Sequence, residues 1–228
     1  RRHTRLRTVT GVQTCALPIY LAVFLEDSKT PRDEDKVITL AREFIGKHPR
    51  SPMLSEVRMK LGQVYFRRED FLKAQEQFEV LAREQPDGAF AATGLFLAGQ
   101  CAMKLQTTEA LNHALELFNG VADKHGTLEA HARLQQAIVK FKLGAPDDAV
   151  TIYDSILSAK APSDPEVRLA ALTGKGDSLV ELGRRDPARL TAAMAAYDEV
   201  IGTTDAPPTW RNRSEEHTSE LQSPYVIS

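Results

Sequence analysis

Histidines and one glycine-containing segment are the residues of this chain whose types could carry chemistry. His125 and His131 stand six residues apart with no cysteine near them, which is not the spacing of a zinc site or of a metalloprotease helix. Gly174-Lys175-Gly176-Asp177-Ser178 has the residue types of a phosphate-binding loop, but no strand pattern precedes it. We therefore predict no catalytic residue, no metal site and no cofactor, and we do not expect an enzyme.

The other reactive residue types have structural explanations. Cys101 lies in an apolar helical pattern and is expected to be a buried, unreactive thiol. The acidic residues at 33–35 and 147–148 stand at predicted helix starts, where negative charge is favoured by the helix dipole. The formal net charge of −2, without a basic block, predicts no nucleic-acid partner, and we see no segment for direct membrane insertion.

The elements that position these residues are helices. Between residues 20 and 212, apolar residues recur at three- and four-residue spacing. Short clusters of Pro, Gly, Asp and Ser interrupt the pattern at 47–52, 85–88, 161–165 and 183–187. There are no alternating runs bounded by hairpin turns. The pattern predicts an all-α protein of antiparallel helices with tight connections.

The two ends of the chain have a different character. Residues 9–19 and 213–223 match the translation of a common sequencing-adapter oligonucleotide and of its reverse complement. We expect residues 1–19 and 213–228 to be adapter-derived, non-native segments that lack packing against the repeats. Under this interpretation the true termini, and any signal peptide, lipid anchor or further domain, lie beyond the observed chain.

One stretch carries a repeat signature. Its residues stand at the spacing of the tetratricopeptide repeat: Leu61-Gly62, Tyr65, Asp70-Phe71, Ala74, Phe78 and Pro86. The chain thus resembles tetratricopeptide repeat (TPR) proteins, which implies antiparallel helix pairs stacked as a right-handed superhelix. Weaker copies place further pairs at about 89–125, 127–160 and 164–202, beside the best pair at 52–86 and a truncated pair at 20–49. The second and fourth copies carry extra residues at 106–109 and 186–190.

The linker His48-Pro49-Arg50-Ser51-Pro52 resembles that of bacterial envelope TPR proteins, namely outer-membrane assembly lipoproteins and Tol-Pal-associated types. This narrower resemblance implies the bacterial periplasm or envelope, with the cytoplasm as the alternative.

The resemblance also implies a binding surface, because first helices of stacked pairs line a concave groove that holds a peptide or a partner helix. The residues expected there are mostly apolar: Met59, Gln63, Phe66, Leu95, Leu134, Ile138 and Phe141. Met59 and Gln63 stand where clamp-type repeats carry Lys and Asn, and neither is a charge-assisted donor, so a C-terminal carboxylate is not the expected ligand. The sequence favours an apolar segment of a protein partner.

The sequence is compatible with two alternatives. The chain is either a protein-interaction scaffold in its own right or the docking or regulatory region of a longer protein whose catalytic domain lies outside it. The same apolar residues could also pack against neighbouring first helices instead of lining a groove.

Overall fold

The computed structural model describes residues 13–124, 126–159 and 164–222. All regular structure in these ranges is helical, which confirms the all-α class. The helices are α1 (Gln13–Asp27), α2 (Glu34–Lys47), α3 (Leu54–Arg67), α4 (Phe71–Glu84), α5 (Ala91–Leu105), α6 (Thr108–Ala122), α7 (Glu129–Lys142), α8 (Pro146–Leu157), α9 (Pro165–Gly183), α10 (Ala188–Ile201) and α11 (Pro208–Leu221).

Side-chain caps begin several of these helices. Asp33 accepts a 3.0 Å hydrogen bond from the amide of Lys36 at the start of α2. Thr107 accepts one of 3.2 Å from the amide of Ala110 in α6. Such caps satisfy amides that have no partner within the helix, so Asp and Thr mark the helix starts.

Within pairs, the turn repeats the same backbone conformation. Glu69, Gln106 and Gly144 have φ values of 61°, 57° and 76°. Each lies directly before the residue at the N-cap position of the second helix. The amide of Asp70 donates to the carbonyl of Tyr65 at 2.9 Å, and the amide of Ala145 donates to Lys140 at 3.0 Å. These bonds satisfy the last carbonyls of the first helix and reverse the chain in a few residues.

The chain forms two compact units, Arg1–Lys104 and Leu105–Ser228. In the first unit, α3 and α4 are antiparallel, because Arg58 near the start of α3 pairs with Glu84 at the end of α4 at 3.0 Å. Their packing depends on Gly62, where an added β-carbon would lie 2.5 Å from Cε1 of Phe78. The fully buried side chains of this unit include Phe44, Phe78 and Leu61.

The second unit contains α6 to α11. Lys140 at the end of α7 pairs with Asp148 at the start of α8 at 2.9 Å, so these helices are also antiparallel. Gly176 of α9 faces the ring of Tyr197 of α10, which is 0% exposed. Small residues opposite aromatic rings therefore set the close helix approach in both units.

The extra residues expected between helices lengthen helices instead. The connection from α5 to α6 is only Gln106 and Thr107, and α9 runs for 19 residues to Gly183. A longer helix gives each additional amide a backbone partner, which a longer loop would not.

The ends of the described chain are helical and packed, contrary to expectation. In the pair expected to be truncated at residue 20, the first helix begins at Gln13, and Ala16 is 1% exposed. In α11, Ser214 and Leu221 are 0% and 6% exposed. The expected lack of packing is therefore wrong for Ala16 and for 213–221, where α9 and α10 present an apolar face that α11 covers. Residues 1–12 and 223–228 lie outside the described residues.

Candidate functional site

In the first unit, the predicted groove positions differ in exposure. Met59 is only 8% exposed and belongs to the core. Gln63, Phe66 and Leu95 are half-buried. The ring of Phe66 packs edge-on against Phe71 at a centroid distance of 5.4 Å. Of the groove positions predicted in this unit, Phe66 and Leu95 are therefore the apolar ones that retain a solvent-facing part.

A charged network lies beside them and was not predicted. Asp27 of α1 pairs with Lys60 at 2.9 Å and with Arg67 at 2.6 Å, and Arg67 also pairs with Glu34 at 2.9 Å. Lys60 additionally lies 5.5 Å above the ring of Phe24. The surface formed by α1 and α3 is therefore mixed rather than apolar. Its sequence signal is weak: two basic residues about two helical turns apart on one face of α3.

The network changes the acidity of Asp27. Burial alone would raise the pKa of this carboxyl group, but hydrogen bonds from Lys60 and Arg67 outweigh burial and lower its pKa. Asp27 is therefore a carboxylate at neutral pH, with both cations held against it. Arg67 is a structural partner of both Asp27 and Glu34.

In the second unit, the predicted groove positions of α7 lie partly in the core and partly at the surface. Leu134 is 7% exposed and packs with Ala137, Tyr153 and Ala171. Ile138 is half-buried against the same cluster. Leu134 therefore packs against a neighbouring first helix instead of lining a groove, because α9 runs alongside α7 and covers it.

Phe141, at the end of α7, is different. Its side chain is 36% exposed. It borders a cleft of about 230 Å³ that is also lined by Lys142, Glu181, Leu182 and Arg185. An aromatic ring beside an apolar side chain, with charges of both signs around them, can bind an apolar residue of a protein segment.

Asp177 of α9 links this helix to α10 and α11. Its carboxylate accepts a hydrogen bond of 2.8 Å from the hydroxyl of Tyr197 and one of 2.7 Å from Arg213. Burial, followed by the charge of Asp177, raises the pKa of Tyr197. The segment Gly174 to Ser178 is helical, and the hydroxyl of Ser178 donates to the carbonyl of Gly174 at 2.8 Å, so it has no phosphate-loop geometry.

Cys101 and His131 are the remaining candidates for chemistry. Cys101 is 0% exposed, as predicted, and burial raises the pKa of its thiol to about 12. His131 lies 3.9 Å from Asp164. No cluster of three or more His, Cys, Asp or Glu that could hold a metal ion occurs in the described ranges. In the same part of the chain, no helix has the length and apolar character to cross a membrane.

Known proteins resemble this chain in fold rather than in sequence. No family model matches it, and no curated protein matches it. Among solved structures, a thermophilic TPR protein of Thermus thermophilus has a TM-score of 0.55 at 17% identity, covering 90% of this chain and 98% of that one. TPR-like repeats of a putative kinesin light chain of Podosopora anserina have a TM-score of 0.59 at 15% identity, covering 83% and 98%.

MamA from MSR-1 has a TM-score of 0.52 at 13% identity, covering 92% of this chain and 95% of that one. These likenesses show the fold: the helix pairs have the arrangement found in TPR proteins. The chain is an all-α helical repeat protein of that architecture.

Proposed function

We propose that this chain is a protein-interaction scaffold that binds an apolar segment of a partner through exposed residues of its first helices. Phe141 is the observation that carries the proposal, because a large aromatic ring that is 36% exposed beside a cleft can supply binding energy at little cost in side-chain entropy. Phe66 is the corresponding candidate in the first unit. Met59 and Leu134 stabilise the helix pairs and contribute no free surface.

The test uses the full chain as bait with lysate from its source. We expect Phe66→Ser together with Phe141→Ser to reduce capture of the partner at least about tenfold. Leu72→Ser is the matched control, because Leu72 is 66% exposed on the second helix α4. Leu134 is left unchanged, since polar substitution in the core would unfold the protein. If the folded double variant and the control capture the same proteins equally well, the proposal is wrong.

A second candidate is the docking or regulatory region of a longer protein. A docking region would bind its partner through the same surfaces as an independent scaffold. The two candidates differ only in the coding sequence beyond the two ends of the chain. An open reading frame that continues into a catalytic domain would favour it, and a lipid-anchor signal beside envelope-assembly genes would favour the envelope scaffold. The linker residue Ser51, which is 7% exposed and accepts a 3.3 Å hydrogen bond from the amide of Met53, is compatible with either.

We further propose that residues 1–19 and 213–228 are adapter-derived and that 20–212 are the native array. Support comes from the match to the translated adapter sequence at both ends and from the polar residues that α11 buries. Amplification of the gene from source DNA with flanking primers should replace these codons by others. Recovery of the same codons would overturn the assignment.

A further inference from the structure

We propose that the face of α9 and α10 beneath α11 is a docking surface for an amphipathic helix, and that α11 is a weak, displaceable occupant. Two apolar clusters form this surface. Near the start of α11, Trp210 packs against the cluster of Leu169, Leu172, Val200 and Ala206. At its end, Leu221 packs with Leu179, Ala193 and Tyr197. The acceptor surface is thus apolar at both ends of the helix that covers it.

The middle of α11 does not match this surface. Ser214 and Thr218 are 0% and 9% exposed, and neither hydroxyl oxygen has a hydrogen-bond partner. The Nε atom of Arg211, on the same side of the helix, is also buried without a partner. A buried polar group that loses water without gaining a hydrogen bond weakens the interface that buries it.

Two buried hydroxyls of α9 are satisfied. Thr173 donates to the carbonyl of Leu169 at 3.0 Å, and Ser178 donates to that of Gly174 at 2.8 Å. Both lie on α9, one of the two helices that form the docking surface. The mismatch therefore belongs to α11 and not to the helices that receive it.

The charge of Asp177 indicates which position of the docked helix should be basic. Asp177 is at the edge of the surface, where Arg213 pairs with it at 2.7 Å. His217 stacks on Tyr197 at a centroid distance of 5.2 Å and lies 3.8 Å from Asp177. The carboxylate of Asp177 therefore favours a basic residue at the position of Arg213.

The occupant that fits is a helix of another protein with small or apolar residues at the positions of Ser214 and Thr218. It would keep apolar anchors at the positions of Trp210 and Leu221 and a basic residue at that of Arg213. The surface would then bury no unpaired hydroxyl. Only residues 202–207 connect α10 to α11, so α11 competes through its high effective concentration rather than through complementarity.

Trp210 makes the exchange directly measurable, because it is the chain's only tryptophan. The probe is a peptide of residues 208–221 with Trp210→Phe, Ser214→Ala and Thr218→Val. Added to the full chain, it should displace α11 and shift the emission of Trp210 to longer wavelength in a saturable way. The control peptide carries Trp210→Phe alone and should need at least about tenfold higher concentration, since each unsatisfied group costs about a factor of ten in affinity.

A third peptide tests the register. Adding Arg213→Glu to the apolar probe places a carboxylate against Asp177 and should weaken displacement. No shift of Trp210 with the apolar probe, or equal potency of the apolar and control peptides, would overturn the proposal. The readout is independent of Phe66 and Phe141, so its failure is distinguishable from failure of the proposed function.

Two variants of the full chain give a second measurement. Ser214→Ala removes a buried, unpaired hydroxyl, whereas Ser219→Ala makes the same change at an exposed position of α11. Both gain the same helix propensity. Denaturation followed by Trp210 emission should show a higher midpoint for Ser214→Ala than for Ser219→Ala. Equal midpoints would mean that the buried hydroxyl imposes no penalty and would count against the proposal.

Discussion

Gly62 of α3 lies directly against the ring of Phe78 of α4, where a β-carbon would stand 2.5 Å from Cε1. The ring is 1% exposed and cannot move away without disturbing the core of the first unit. The missing side chain therefore sets how closely the two helices approach.

Gly62→Ala should lower the free energy of unfolding by about 1–2 kcal/mol, because overpacking outweighs the gain in helix propensity. Gly46→Ala is the control: Gly46 lies in α2, and nothing stands within 4 Å of its added β-carbon. That change should instead raise stability by about 0.5–1 kcal/mol. Urea denaturation of both variants checks the opposite signs, and stabilisation by Gly62→Ala would show that the approach is looser than described.

The ion pairs of Asp27 predict a pH-dependent contribution to stability. The pKa of Asp27 is lowered in the folded protein from its ordinary value of 3.8. Its contribution is therefore present above that value and is lost as pH falls through the folded pKa. At pH 7, Asp27→Asn should cost about 1–3 kcal/mol, and the difference from wild type should vanish in strong acid.

Asp35→Asn is the matched control, because Asp35 pairs with Arg68 but its side chain is 84% exposed. It should cost less than about 1 kcal/mol at pH 7. Denaturation midpoints measured across the acid range separate the two variants. Equal losses for both would mean that burial adds nothing to the Asp27 network.

The turns within pairs predict that glycine is favoured at equivalent positions, so introducing it at one and removing it at another should change stability in opposite directions. Glu69 has a φ of 61°, a conformation that is strained for a residue with a β-carbon, so Glu69→Gly should stabilise by about 0.5–1 kcal/mol. Gly144 has a φ of 76° with open space around its added β-carbon, so Gly144→Ala should destabilise by about 1 kcal/mol through the backbone alone. Thermal unfolding of both variants tests this, and effects of the same sign would contradict the equivalence of the turns.

Cys101 should react with a thiol reagent only when the protein opens. It is 0% exposed, and burial raises its pKa to about 12, so native protein presents almost no thiolate at neutral pH. The measurement uses Cys15→Ser, which leaves Cys101 as the sole thiol. Its labelling rate should rise steeply with urea; fast labelling in buffer would show that α5 opens readily.

Most of what could be predicted from the sequence depends on local residue patterns. The Gly62 and Phe78 positions stand at the repeat spacing within one pair, so the sequence contains both partners of that contact at a fixed separation. The helical class and the burial of Cys101 follow from the same periodicity.

Contacts between separate pairs could not be predicted in the same way. Leu134 and Phe141 stand on one face of α7, yet α9 covers the first, while the second is 36% exposed. Nor does periodicity reveal that Asp27 meets Lys60, or that α11 packs at all, because each depends on which helices become neighbours in space.

The short connections within pairs have a consequence for how the protein is made. Residues 68–70 alone join α3 to α4, and residues 143–145 alone join α7 to α8. Each of these helices finds its antiparallel partner after closing a very short loop, so the entropic barrier to pairing is low and folding is expected to be fast. On the ribosome, the two helices of a pair such as α3 and α4 can therefore come into contact as soon as both have emerged, and stacking on neighbouring pairs then stabilises them.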